Sequence, residues 1–248
     1  MTVTSALRMK ASWVDVMKNA NYQVLIIGSG PAGLFAAMWL ERLGWERVAI
    51  IDRHPYPAGG LLNDGKLNFD YRVGLDMETL QIDRATAEEM MREIKRIFTG
   101  FPRCRQVTFL NDNKKLLALS DMAAEHGAQF IAPEQWHWGT DNGKDLVNYL
   151  RALLKKTDFL LNTEVLTVQK RRDHHFQLHC RCDKKALIYH APVILAAPGR
   201  SGAYWFRDVA DQLNIDHAFG PIDVGIRLEL NRNFYDGVTD IVYDPKFI

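Results

Sequence analysis

The stretch "YQVLIIGSGPAG", residues 22–33, passes from an apolar run directly into a cluster of glycines. Gly28, Gly30 and Gly33 form the pattern G-x-G-x-x-G, which follows a predicted buried strand over 23–27 and opens a predicted helix. In this pattern the first glycine permits a tight turn and the second lets the backbone approach a pyrophosphate. The third lets the helix pack closely on the strand. The stretch therefore predicts the phosphate cradle of a dinucleotide-binding βαβ unit.

The residues that follow complete this unit. A helix is predicted over Pro31–Leu43, with Gly44 as its stop, and "VAIID", residues 48–52, is typical of a second buried strand. Asp52 follows Gly33 by 19 residues, close to the spacing of about 20 residues expected for the acid that hydrogen-bonds a ribose hydroxyl. A carboxylate here disfavours NADP, because it repels the 2′-phosphate.

Composition places the chain among ordinary globular proteins. It has 248 residues, 47% hydrophobic and 25% charged, with a net charge of +1, so nothing steers it towards nucleic acid or an anionic membrane. No apolar run approaches the ~18 residues of a membrane span. Residues 1–21, predicted as a short helix, lack a signal-peptide core. The three cysteines, Cys104, Cys180 and Cys182, fit no disulfide framework. We therefore expect a cytoplasmic protein.

Beyond Asp52 the chain departs from the regular strand–helix alternation of an NAD-binding domain. Residues 53–76 are predicted as loop. The later predicted helices cover 84–98, 114–126 and a stripe from Leu146 to Leu154, with a short strand at 129–133. From residue 159 the hydrophobic period changes towards two, which predicts strands at 159–171, 176–183 and 186–199. The last of these ends in "LAAPGRSG", a small-residue turn that suits a strand end beside a bound cofactor.

Six motifs follow one another along nearly the whole chain. They are "VLIIGSGPAGLFAA", "GGLLNDGKLNF", "HWGTD", "LAAPGRSG", "IDVGIRLE" and "YDPK". With these motifs the sequence resembles the glutathione-reductase-type FAD flavoproteins, and more specifically the bacterial FAD-dependent dehydrogenases of the "NAD(FAD)-utilising" group. "DGKLNF" and "HWGTD" are more specific than the glycine pattern, which many families share.

The resemblance implies an α/β fold with a Rossmann-like FAD-binding domain of the glutathione-reductase type, a helical insertion and an incomplete second domain. We place the FAD-binding domain discontinuously at 20–75 and 150–205, the insertion at 76–149 and the start of a substrate or cap domain at 206–248. The family continues beyond "YDPK" with a glycine–aspartate segment that seats the flavin ring, and this sequence has no such segment. We therefore expect a C-terminally truncated chain that self-associates or meets a partner chain completing the flavin site.

The resemblance also implies a role for each matched residue. The pyrophosphate would be held by Gly28, Gly30, Pro31, Ala32 and Gly33, and the loop passing the phosphates would contain Gly59 and Gly60. The ribose would bind Asp52 with Arg53 alongside, and the adenine would meet the backbone of Val165. The small-residue turn that returns to the cofactor is Ala197, Pro198 and Gly199, and the flavin side would be approached by Lys66 and Asn68.

The implied chemistry is hydride transfer between a small-molecule substrate and non-covalently bound FAD, with NAD(P)H as a candidate electron donor. The sequence identifies neither the substrate nor a catalytic acid or base. His137, in "QWHWGTD", either lines a substrate or flavin pocket or is a turn histidine between two tryptophans, and we favour the second interpretation. His174 and His175 have no third ligand beside them, so no metal site is expected. Two alternatives stay open: a non-catalytic adenine-nucleotide-binding fragment of a flavoprotein, and an NAD-binding protein without flavin.

Overall fold

A computed structural model describes residues 20–57, 59–62, 65–107, 113–173, 175–220 and 224–248. The predicted leading helix over 1–21 lies outside these residues, except for its last two positions, which form a strand. The chain divides into two compact units. Unit 1 comprises Met1–Leu62 and Val147–Pro221, and unit 2 comprises Asn63–Leu146 and Ile222–Ile248. None of the helices among the described residues is long and apolar enough to cross a membrane.

The described residues form strands and helices of both units. In chain order they are β1 (Ala20–Asn21), β2 (Val24–Ile27), α1 (Pro31–Arg42), β3 (Val48–Ile51), β4 (Lys66–Asn68), α2 (Arg84–Thr99), β5 (Arg105–Gln106), α3 (Asn113–Glu125), β6 (Phe130–Ile131), β7 (Gln135–His137), α4 (Gly143–Leu153), β8 (Asp158–Leu160), β9 (Thr163–Lys170), β10 (Phe176–Cys182), β11 (Lys185–Ala191), β12 (Val193–Ala196), α5 (Ala203–Leu213), α6 (Asp236–Thr239) and β13 (Lys246–Phe247). Short 3₁₀ turns cover Gly59–Leu62, Thr140–Asn142, Arg200–Gly202 and Arg232–Phe234.

Unit 1 is built on a four-stranded parallel sheet in the order β12-β2-β3-β8. Every residue of β2 and β3 is buried. Central strands of a parallel sheet are covered on both faces, which explains why both read as continuous apolar runs. The predicted βαβ start is confirmed, with α1 ending beside Gly44 at φ +80°. Ligands of open α/β sheets bind beyond the carboxyl ends of the strands, which places the glycine loop at that edge.

A second sheet, in the order β1-β11-β10-β9, packs on one face of the first. Leu25 and Ile27 of β2 share a core with Val165 and Leu178 of the second sheet. The strand predicted over 186–199 divides into β11 and β12 at Pro192. Proline lacks the N–H that a continuing ladder requires, so the chain changes sheet there.

The strand predicted over 159–171 also divides in two. β8 joins the parallel sheet and β9 joins the second sheet. Between them, Asn162 adopts φ +52°, a left-handed conformation that asparagine tolerates better than most residues. The alternation of apolar and polar residues runs through both strands without interruption, so the sequence predicts one strand. The division into β8 and β9 occurs at the turn of Asn162.

Unit 2 contains α2 and α3, which match the helices predicted at 84–98 and 114–126. The Asp83 carboxylate accepts a hydrogen bond from the Thr86 N–H at 2.8 Å and caps α2. The loop predicted over 53–76 is wrong at β4, which pairs with β7 in the antiparallel sheet β4-β7-β5. A two-stranded sheet pairs β13 with β6.

The predicted domain limits can be placed on these elements. The stretch 76–149 contains helices and also the short strands β5, β6 and β7. The expected start of the second domain, residue 206, falls inside α5, a helix of unit 1.

Candidate dinucleotide-binding site

The connections at the carboxyl ends of β2, β3 and β12 meet at one edge of the parallel sheet. The Gly28 N–H donates to the Ile51 carbonyl at 2.8 Å, and the Ala197 N–H donates to the Ile27 carbonyl at 2.8 Å. The structure therefore brings together three sets of predicted residues: the glycine loop, the acid that ends β3, and the small-residue turn after β12.

Gly28 and Gly33 have no room for a side chain. Gly28 adopts φ +107°, and a Cβ there would overlap the Ala197 carbonyl oxygen. A Cβ on Gly33 would overlap the Gly28 carbonyl oxygen and lie 3.3 Å from a methyl carbon of Ile26. The first glycine is thus required by the turn and the third by the close approach of α1 to β2.

Gly30 is different, because its open side faces the start of α1. A Cβ there would meet only the Gly59 Cα, at 3.7 Å, an ordinary van der Waals contact. Gly30 is the N-cap of α1, which begins with Pro31 and has no side-chain cap and no acidic residue in its first turn. The first N–H groups of a helix lack intrahelical acceptors and carry partial positive charge. The amides of Ala32 and Gly33 therefore fit a pyrophosphate, and the site fits FAD.

The predicted phosphate-passing loop lies against this helix start. Gly59, at φ +52°, sits so close to Gly30 that a Cβ on Gly59 would be 2.7 Å from the Gly30 Cα. Gly60 follows in the same 3₁₀ turn with open space around its Cα. The close packing of two glycines, one on each loop, explains why the loops can approach each other here.

Asp52 ties the glycine loop to the end of β3. Its Oδ2 accepts hydrogen bonds from the Ser29 N–H, at 2.8 Å, and from the Ser29 hydroxyl, and its Oδ1 accepts one from the His54 N–H at 2.8 Å. Ser29 is completely buried. A carboxylate has about four acceptor positions, so a ribose hydroxyl can still bind. Sequence analysis missed the role of Ser29, although a hydroxyl inside "GSG" is a usable signal.

We expect Asp52→Ala to lower both FAD affinity and stability. The substitution leaves the buried Ser29 donors without an acceptor, which costs about 1–3 kcal/mol, and it also removes the predicted ribose acceptor. FAD titration monitored by fluorescence, together with urea unfolding, measures the two effects. Ser29→Ala is the matched control, because it removes one hydrogen bond and retains the carboxylate. FAD affinity and stability both equal to wild type in Asp52→Ala would contradict this role.

Arg53 follows Asp52 in the sequence, whereas Val165 belongs to a strand that starts beside Asp52. Arg53 is exposed, and its Nε lies 3.4 Å from Nε2 of His54. Val165 belongs to β9 and is 7% exposed. The Thr163 N–H, at the start of that strand, donates to the Asp52 carbonyl at 2.8 Å. The predicted adenine-contacting strand therefore starts next to the predicted ribose acid.

The small-residue turn leads from β12 into α5. Ala197 supplies the carbonyl beside Gly28, and Gly199 adopts φ +64°. Pro198 packs against Gly202, where a Cβ would lie 2.5 Å from the proline Cβ. The turn thus closes one side of the glycine loop through backbone contacts.

Lys66 and Asn68 belong to unit 2, whereas the other predicted cofactor residues belong to unit 1. Lys66 Nζ lies 3.2 Å from Oδ2 of Asp244, and Asn68 Oδ1 accepts from Nε2 of Gln135 at 2.9 Å. The buried Gln135 amide also donates to the Asp244 carbonyl at 2.7 Å and accepts from the Asp244 N–H at 3.0 Å. We call this group, with Lys246 and His137, the motif cluster, because "DGKLNF", "HWGTD" and "YDPK" meet in it.

Two lysines of the motif cluster, Lys66 and Lys246, pair with the single carboxylate of Asp244. Burial opposes its ionisation, but hydrogen bonds and positive charge from Lys246 and Lys66 outweigh burial and lower the pKa of Asp244. Lys246 Nζ lies 2.8 Å from the same carboxylate oxygen as Lys66. Asp244 is therefore ionised at neutral pH and positions both lysines.

The interpretation of His137 as a turn residue is wrong, because His137 ends β7 and pairs with Lys66. Its Nδ1 accepts a hydrogen bond from the Gly139 N–H at 2.7 Å. A Cβ on Gly65 would overlap this ring, and the Tyr243 ring meets it edge-on at 5.9 Å. The glycine of "DGKLNF" is thus required by a histidine 72 positions later.

Comparison with known proteins defines the class. Residues 23–219 match the family described as "FAD dependent oxidoreductase" (DAO), and the chain belongs to this family. This membership confirms FAD as the predicted dinucleotide. A FAD-dependent monooxygenase of Aspergillus thermomutatus is 35% identical over 69 residues, which cover 26% of this chain and 12% of that protein.

Solved structures are similar to this chain at low sequence identity, and one of them supports the fold. Quinol fumarate reductase of E. coli is 13% identical with a TM-score of 0.51, over 75% of this chain and 34% of that chain. Glycine oxidase from Geobacillus kaustophilus is 14% identical with a TM-score of 0.47, over 80% of this chain and 60% of that one. The chain therefore spans less than two thirds of each of these proteins.

Proposed function

We propose that this chain forms the FAD-binding part of an oxidoreductase that transfers hydride between a small-molecule substrate and non-covalently bound FAD. The observation that carries the proposal is the glycine loop. Gly28 and Gly33 have no room for a side chain, while Gly30 leaves the start of α1 open. When bound, FAD supplies the redox chemistry, and the protein supplies binding and orientation.

The residues of unit 1 divide this binding task. The amides of Ala32 and Gly33 hold the pyrophosphate, with Gly59 and Gly60 passing beside it. Asp52 holds the ribose and keeps the glycine loop in place through Ser29. The family match and the fit of the helix start support these roles.

The motif cluster supports the finer assignment to the glutathione-reductase-type, NAD(FAD)-utilising dehydrogenases. Three of the motifs that carry the resemblance are far apart in sequence and share hydrogen bonds: Lys66 donates to Asp244, and the Trp138 N–H donates to the Gly65 carbonyl at 3.1 Å. We assign Lys66 and Asn68 to the flavin side of the site, with Asp244 orienting Lys66. NAD(P)H as electron donor follows from the same resemblance.

A cytoplasmic location is supported by the cysteines. Cys104, Cys180 and Cys182 are all unpaired. Burial raises the pKa of Cys104 to about 11 and that of Cys180 to about 12. Buried, protonated thiols are unreactive and typical of reducing compartments.

The visible absorption spectrum of the purified protein tests the proposal, with chromatography of the nucleotide that heat releases. We expect a flavin spectrum and released FAD. Competition with ADP distinguishes a FAD enzyme from a non-catalytic adenine-nucleotide-binding fragment. ADP binding as tightly as FAD would indicate the fragment. A colourless protein that takes up no added FAD would overturn the proposal. Anaerobic bleaching of the bound flavin by NADH or NADPH tests the electron donor.

Residues 224–230 form an exposed segment with the alternation of a β-strand. The apolar members are Val224, Ile226, Leu228 and Leu230, exposed by 91%, 96%, 74% and 57%. Within the described part of the chain this segment has no backbone hydrogen bond. Unpaired apolar strands are templates for association. We propose that a second copy pairs with it, antiparallel about Leu228, because that register places Arg227 opposite Glu229 of the other copy.

We therefore expect concentration-dependent self-association. Leu228→Lys should return the protein to a monomer, since like charges would face each other at the centre of the pairing. Light scattering after size-exclusion chromatography measures the mass. Leu117→Lys is the matched control, because Leu117 is 62% exposed on α3 and lies outside the segment. A wild-type protein that stays monomeric at high concentration would disprove the pairing.

A further inference from the structure

We infer that the amino edge of the parallel sheet holds a second binding site, which takes a phosphate group, free or carried by a small molecule. The site is a cleft of about 510 Å³ in unit 1, which we call the amino-edge cleft. Its lining includes Tyr22, Arg47, Arg171, His175 and His190. Clefts of 300–1,000 Å³ accommodate small ligands.

The amino-edge cleft is separate from the FAD site. It lies before the first residues of β2, β3 and β12, whereas the glycine loop follows their last residues. Four residues of strand, at about 3.3 Å per residue, place roughly 10–13 Å of buried sheet between the two sites. The Gln23 N–H donates to the Arg47 carbonyl at 2.9 Å, and the Tyr22 N–H donates to the His190 carbonyl at 2.9 Å. These bonds fix the lining to the sheet.

Positive charge predominates in the cleft. Two arginines, which are always protonated, line it together with one carboxylate, that of Asp173. Asp173 lies 3.7 Å from both Arg171 Nε and His175 Nδ1. Within the described residues, the Arg47 guanidinium has neither a hydrogen bond nor an ion pair. Arginine forks match phosphate oxygens in bidentate geometry, so this excess of positive charge favours a phosphate.

The backbone of Arg47 and the side chain of Arg171 are both constrained. Arg47 adopts φ +47°, a conformation that non-glycine residues rarely adopt and that is found preferentially at functional sites. Arg171 Nη1 donates to Oε1 of Gln177 at 2.9 Å, and its backbone N–H donates to the His175 carbonyl at 2.8 Å. The Arg171 guanidinium is therefore oriented and loses less freedom on binding than a mobile one.

His190 reports the charge of the cleft. Burial lowers the pKa of His190, Arg171 and the nearby His175 and His179 lower it further, and Asp173 opposes them. A bound phosphate dianion acts in the opposite direction, because it stabilises the protonated imidazole. Phosphate binding should therefore raise the pKa of His190, and this signal is independent of FAD.

Inorganic phosphate, titrated into the full chain saturated with FAD, tests the site by calorimetry and by NMR of the histidine rings. We expect saturable binding and a raised His190 pKa. Arg171→Gln and Arg47→Asn should each weaken binding about ten- to a hundredfold, and asparagine tolerates the left-handed backbone at position 47. Arg207→Gln is the control, because Arg207 is a partly exposed arginine that pairs with Asp208 on α5, outside the cleft, and this variant should bind phosphate as wild type does.

The possible outcomes distinguish free phosphate from an organic phosphate, and binding in the cleft from binding elsewhere. Tighter binding of ribose 5-phosphate than of phosphate identifies an organic phosphate, and equal binding identifies the free ion. Absence of binding would overturn the inference. Wild-type affinity in both arginine variants would also overturn it, because the phosphate would then bind elsewhere. Acetate binding as tightly as phosphate would overturn the ligand class. FAD uptake is recorded on the same samples, so a failure to bind FAD is distinguished from a failure to bind phosphate.

Discussion

Gly28→Ala should strongly destabilise unit 1. The substitution places a Cβ on a residue at φ +107° and against the backbone carbonyl of Ala197, which cannot rotate away. Ala197 is held because its N–H bonds the Ile27 carbonyl at 2.8 Å. Backbone strain of about 1–3 kcal/mol adds to an overlap of about 1–3 kcal/mol. The sum is a large part of a total stability of about 5–15 kcal/mol.

Urea unfolding monitored by circular dichroism measures this loss. Gly44→Ala is the matched control, because Gly44 also has a positive φ, +80°, but a Cβ there meets nothing within 4 Å. We expect Gly44→Ala to cost about 1 kcal/mol, the conformational part alone. Equal losses in the two variants would show that the contact with Ala197 has no steric consequence.

Gly30→Val should abolish tight FAD binding and leave the fold intact. A Cβ at Gly30 has room, and the backbone, at φ −72° and ψ −175°, is extended and suits a β-branched residue. The valine methyl groups would occupy the space at the start of α1 that the pyrophosphate must enter. Loss of two charge-assisted hydrogen bonds, about 1.5–3 kcal/mol each, corresponds to roughly a hundredfold or greater loss of affinity.

FAD titration and urea unfolding of the same preparation test whether FAD binding is lost while the fold is kept. The free energy of unfolding should stay within about 1 kcal/mol of wild type. Gly237→Val serves as control, because Gly237 has open space and lies in α6 of unit 2. Unchanged FAD affinity in Gly30→Val would refute the phosphate cradle. A fold loss equal to that of Gly28→Ala would show that Gly30 is a structural glycine.

The βαβ start could be predicted almost to the residue, because its signals are local. β2 and β3 are buried on both faces and therefore appear as unbroken apolar runs. The glycines between them are required by backbone overlaps over short distances. The helix ends at Arg42 with Gly44 at a positive φ, as its composition indicated.

Unit 2 was predicted less well. β4, β5 and β7 have two or three residues each, too few to show a period of two. Their pairing joins Lys66 to His137 across a long interval of sequence. Such pairs are selected by packing against neighbours rather than by local propensity.

The sequence by itself determined the βαβ unit with its glycine pattern, because glycine sterics and buried-strand patterns are properties of adjacent residues, and the resemblance of its motifs indicated FAD. Only the tertiary structure decided that Ser29 anchors the loop to Asp52, that three separate motifs form one cluster, and that Arg47 and Arg171 share a cleft. Each of these arrangements joins segments distant in the chain. Side-chain contacts of that kind arise from the packing of whole sheets, and no local pattern encodes them.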